Sequence, residues 1–137
     1  MDNEQLQFKP QGEKWQTLYW QFGCIARTQQ VYAKAIETGK IDFSLFESEK
    51  LPKKDQYQTK VLIKNFLEEA NQTWLEAIQG KSKDEDFKIT WPGYNQNLLT
   101  HISSLISHER LHHGQLISYF TLAGFELPPG FKSNWAL

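Results

Sequence analysis

From Gln96 to Ala123 apolar residues return every third or fourth position, placing Leu98, Leu99, Ile102, Leu105, Ile106, Leu116, Ile117 and Phe120 on one broad face. Asn95 is suited to cap this helix, and Gly124 followed by Pro128-Pro129 ends it. A helix of this length draws its stability from packing its apolar face rather than from propensity. It therefore constrains the chain to a helical bundle, with partners of similar length supplied from elsewhere.

Two further periodic runs meet that requirement. The first extends from about Glu13 to Thr38, with Trp15, Leu18, Tyr19, Phe22, Ile25, Ala26, Gln29, Tyr32, Ala33 and Ile36 on one face and Gly39 at its end. A second apolar line, Trp20, Cys24, Val31 and Ala35, runs along its opposite side. A helix that is apolar on two faces must be covered twice, which predicts a homodimer that buries Trp20 and Val31. The next run, about Asp55 to Gln79, turns Leu62, Ile63, Phe66, Leu67, Ala70, Thr73, Trp74, Ala77 and Ile78 inward and stops at Gly80.

Between and around these helices the pattern weakens. The lead-in before Glu13 reads as extended, and Ile41–Asp55 as a connection with one short helical turn. Phe87–Gly93 alternates like a lone extended segment that cannot form a sheet by itself, and Trp135 in the tail is expected to dock on an apolar surface. The fold class is all-α: one domain spanning residues 1–137, three long helices plus short pieces, of four-helix-bundle type.

Composition narrows the function. The 15 basic and 16 acidic residues are spread along the chain, so no nucleic-acid partner is indicated. The pattern of a secretory leader is absent from the N-terminus, and no apolar run is long enough to span a membrane. A single cysteine, Cys24, excludes an internal disulfide framework and fits a reducing, cytoplasmic setting.

Three of the four histidines fall in His108-Glu109-Arg110-Leu111-His112-His113. On the helix His101, His108, His112, Gln115 and Tyr119 share a shoulder beside the apolar face, so His108 and His112 point the same way one turn apart. That arrangement suits two ligands of one metal, with a third from another element, or two ordinary boundary histidines. Cys24 is the candidate third ligand, and it reaches the pair only if the bundle interior lies on its side of the first helix. Glu109 and His113 project toward the middle of the apolar face, where they are expected to satisfy each other. The functional variant keeps Glu109 as a general base or as a partner orienting a ligating imidazole. Read literally, the segment also matches H-E-x-x-H, a zinc-protease pattern, although Glu126 is the only later carboxylate and no strand-rich domain precedes it.

The stretch HERLHHGQLISYFTLAGFELPP, His108 to Pro129, resembles the C-terminal helix of the DinB-like or YfiT-like superfamily, and WQFGCIARTQQVY, Trp20 to Tyr32, is similar to the helix carrying that family's first metal histidine. The resemblance implies a helical bundle, usually dimeric, with a divalent metal held by three histidines at one end. Carried over, His108 and His112 match the two C-terminal ligands, while the first position falls on Cys24 in place of histidine. A thiolate can hold zinc or nickel, or the exchange can mark a member without metal. The family also begins with a long helix for which the lead-in here has no counterpart.

By that resemblance the chain is expected to be a metal-dependent hydrolase or thiol transferase acting on a small molecule, a low-molecular-weight thiol among the substrates, with Gln115 and Tyr119 orienting the bound group. The alternative is a non-catalytic dimeric bundle that has lost the metal.

Overall fold

The computed structural model describes residues 1–48 and 51–135. Three long helices dominate: α2 (Leu18–Thr38), α3 (Lys60–Lys81) and α4 (Leu98–Ala123), accompanied by the short α1 (Asn3–Leu6) and α5 (Pro129–Trp135) and a hairpin of β1 (Lys88–Trp91) and β2 (Tyr94–Asn97). The central element is α2, which packs against both α3 and α4. Ala26 meets Ile63, Phe66 and Ala70 on the α3 side, and Leu18 and Ile25 meet Leu116, Tyr119 and Phe120 on the α4 side. A third cluster, built on Tyr32, Ile36, Trp74, Ile89 and Leu105, closes the end nearest the hairpin. Among the described residues no helix is long and apolar enough to cross a membrane.

The helical bundle with three long helices is as the sequence implies, and the departures are local. Gly39 does terminate α2, in the left-handed region at φ 71°. The helix starts at Leu18 rather than Glu13, because Trp15 leaves the helical path to set its ring edge-on against Tyr119, 5.5 Å away. Helix α3 starts at Lys60, capped by Thr59, after a 3-10 turn at Lys54–Tyr57, and continues through Gly80 to Lys81. The lead-in is not fully extended: Asp2 and Gln5 form a reciprocal cap on α1, whose Leu6 is fully buried.

Phe87–Gly93 is not a lone segment either. Pro92 and Gly93, the latter at φ 86°, turn the chain back so that Ile89 pairs with Gln96 and Trp91 with Tyr94. The hairpin displaces the cap of α4 from Asn95 to Asn97, whose side chain accepts from Thr100 N. The docking expected of Trp135 concerns a side chain outside those described.

Two corrections bear on the site. Val31 and Ala35 are each 1% exposed within a single chain, packed in one cluster with Ile41, Leu45, Phe46 and Leu51. The cover assigned to a second subunit is thus supplied by the chain itself there, and Trp20 is half-buried beside His112. Helix α4 is also rotated from its predicted setting. Its buried residues are His101, Leu105, His112, Leu116, Tyr119 and Phe120, whereas Leu99 and Ile106 are exposed. Packing on α2 and the hairpin draws the histidine shoulder inward, and Leu99 and Ile106 stay exposed.

Candidate metal centre

The rotation of α4 brings its shoulder onto the Cys24 side of α2. Cys24, His108 and His112 each present a ligand atom, and these atoms all lie within 4.8 Å of one another. His108 Nε2 and His112 Nε2 are 3.2 Å apart. Two nitrogens bound at 2.0–2.1 Å to one tetrahedral ion would lie roughly 3.3 Å apart. The pair therefore already has the spacing that a shared cation needs.

A buried chain of hydrogen bonds sets the protonation of His112. Tyr119 donates its hydroxyl to the backbone carbonyl of Gln16 at 2.7 Å, and a carbonyl can only accept. The Tyr119 oxygen is then free to accept from Gln21 Nε2 at 3.0 Å. That turns Gln21 Oε1 toward His112 Nδ1, 2.7 Å away, so Nδ1 must carry the proton and donate it. The Nε2 lone pair of His112 is left facing His108 and Cys24. Such partners, sitting behind a ligand, fix its tautomer and orientation.

Electrostatics act in the same direction. Burial, with the neighbouring His108 and His113 adding to it, pushes the His112 pKa down to about 4. Burial also lowers His108. Both rings are neutral near pH 7, the form that ligates metal. His108 Nδ1 is shut off from solvent and has no hydrogen-bond partner among the described residues. A donor set of one sulfur and two imidazoles, two of them neutral and pre-aimed, fits a divalent cation.

The remaining residues singled out from the sequence separate clearly. Glu109 does not pair with His113: it accepts from Gln29 Nε2 at 2.8 Å and lines a different groove with Arg110 and Leu111, while His113 sits edge-on to Phe131. Gln29 on α2 takes the carboxylate. Tyr119 is fully buried behind His112, where it holds Gln21 rather than facing a ligand. Gln115 is half-buried, and its Oε1 lacks a hydrogen-bond partner among the described residues. His101 belongs to the core: its Nε2 donates to the Tyr32 carbonyl at 3.1 Å and its Nδ1 accepts from Trp91 Nε1 at 3.3 Å.

Sequence reasoning missed Gln21. The only available signal was an amide inside a mostly apolar helix, three residues before Cys24. A cavity of about 400 Å³ opens on the far side of Cys24, with Trp20 and Tyr57 in its wall. Tyr57 can lie there because Gly23 has no side chain: a Cβ at that position would come within 2.1 Å of the Tyr57 ring.

A family model described as the DinB superfamily matches residues 1–116, a span that holds Cys24, His108 and His112, and the chain belongs to that superfamily. No curated protein matches it.

Proposed function

We propose that this DinB-superfamily protein is a metal-dependent enzyme, a hydrolase or thiol transferase, that acts on a small molecule beside a zinc or nickel ion held by Cys24, His108 and His112. The observation that carries the reading is the convergence of three ligand atoms within 4.8 Å, two of them imidazole nitrogens 3.2 Å apart. When bound, a divalent ion supplies Lewis acidity, lowering the pKa of a water or thiol that reaches it toward neutrality.

The protein's own residues supply position and shelter. Gln21, anchored through Tyr119 to the Gln16 carbonyl, holds His112 in one tautomer. Trp20 shields the ring of His112 from one side, with centroids 6.2 Å apart, and borders the cavity with its other flank. Three protein ligands leave the open position that catalytic sites keep and structural sites lack. The protease reading has no support from the position of Glu109, whose carboxylate is engaged by Gln29.

The test is elemental analysis of protein purified without an affinity tag, followed by thermal melts with added zinc or nickel. One equivalent of metal per chain, and a melting temperature that rises with metal in wild type but not in Cys24→Ser, supports the reading. No bound metal together with unchanged melts would leave the non-catalytic bundle as the better account.

A further inference from the structure

The cavity beside Cys24 has a feature that the metal reading does not use. Arg27 follows Cys24 by three residues, so the two side chains lie about one helical turn apart on the same face of α2. The Arg27 guanidinium is half-buried in the cavity wall. It donates to the backbone carbonyls of Phe46 and Pro52. Two of its five N–H groups are thereby engaged by carbonyls, the Tyr57 hydroxyl is a further hydrogen-bonding neighbour, and no carboxylate among the described residues pairs with it. Glu47 borders the same cavity but makes no ion pair with Arg27.

A partly desolvated guanidinium without a counter-charge is unfavourable, and an anion entering beside it relieves that cost. Trp20, Phe46 and Tyr57 give the interior an aromatic lining. The opening admits a molecule of modest size, and the guanidinium fork matches a carboxylate in two parallel hydrogen bonds.

We infer that this cavity binds a small organic carboxylate with an apolar body, its carboxylate on Arg27 and the body against Trp20, Phe46 and Tyr57. The bound molecule lies between Arg27 and Cys24, so its far end is presented to Cys24, the one member of the metal cluster that lines this cavity among the described residues. That last placement rests on the function proposed above; the carboxylate site itself does not.

The experiment uses metal-stripped protein, so that a carboxylate cannot register by binding a metal. 3-Phenylpropionate and its neutral isostere 3-phenylpropionamide are titrated separately and followed by two-dimensional amide and indole NMR. The acid should bind at least about ten times more tightly than the amide, as expected of a charge-assisted pair. Its binding should shift the Trp20 indole N–H and weaken as salt is raised. Arg27→Lys, checked for an unchanged helical spectrum, should reduce the acid-over-amide preference several-fold. Equal binding of acid and amide, or shifts that bypass Trp20, overturns the inference in wild type without reliance on any variant. A clear preference for the acid in a protein that takes up no metal would sink only the metal reading.

Discussion

His101 and His112 stand on one helix, eleven residues and about three turns apart. Both are almost sealed from solvent, and burial lowers both pKa values. They differ in what happens to their nitrogens. His101 has both satisfied by the chain, by the Tyr32 carbonyl and the Trp91 indole, and its ring stacks on Tyr32 at 4.6 Å. His112 has one nitrogen satisfied by Gln21 and the other aimed at His108. Burial alone therefore does not mark a functional histidine; a nitrogen turned toward other ligand atoms, and not toward the backbone or core, does.

The sharpest way to break this contrast is to remove each ring in turn. His112→Ala should lower metal affinity by more than about 100-fold, since loss of a ligand exceeds the 10–100-fold typical of its supporting partners. His101→Ala should leave one metal per chain while lowering stability by about 3 kcal/mol, through a cavity and two orphaned polar groups. Metal titration and urea unfolding on both variants separate the roles. A loss of metal in His101→Ala would erase the distinction.

Acid comes next. A histidine whose folded pKa lies below its unfolded value of about 6.5 binds its proton more readily in the unfolded chain. Its contribution is fully present above pH 6.5 and is lost as the pH falls toward 4, the value to which His112 is pushed. For His112 alone this amounts to at most roughly 3 kcal/mol, and His101 and His108 act in the same direction. Urea unfolding of metal-free protein at pH 7 and pH 4 should show the loss, with His112→Gln retaining the part due to His101. A flat profile between those pH values would contradict the burial assigned to these rings.

Smaller effects probe the chain behind His112. Gln21→Leu should weaken metal binding by about 10–100-fold without moving the ligands, and should let the His112 tautomer redistribute in ¹⁵N imidazole spectra. Tyr119→Phe, one bond further back, should weaken metal binding only a few-fold while leaving Gln21 without its acceptor, at a stability cost of about 1 kcal/mol. An effect of Tyr119→Phe larger than that of Gln21→Leu would mean that the order of the relay is wrong.

The three long helices were legible because each keeps an apolar period over many turns and meets a glycine or proline signal near its end. The site was legible in part: spacing pairs His108 with His112, and the family resemblance places Cys24 with them. The rotation of α4 was not legible, because a periodicity count treats His101, His112 and Tyr119 as polar when they are among its most buried residues. The hairpin was hidden for a related reason. The strand Tyr94–Asn97 reads YNQN, with no apolar alternation, and is fixed by pairing and by burial of Gln96. Gln21 shows only an amide in a mostly apolar helix, and its role exists only once it meets His112 and Tyr119.

The most direct test of the account is cobalt(II) titration of metal-stripped protein followed by absorption spectroscopy. The geometry predicts one equivalent of cobalt, a thiolate-to-cobalt charge-transfer band, and visible bands of a four-coordinate site. The charge-transfer band should vanish in Cys24→Ser and persist in His101→Ala. A wild-type spectrum without that band, or one unaltered by Cys24→Ser, would contradict a centre built from Cys24, His108 and His112.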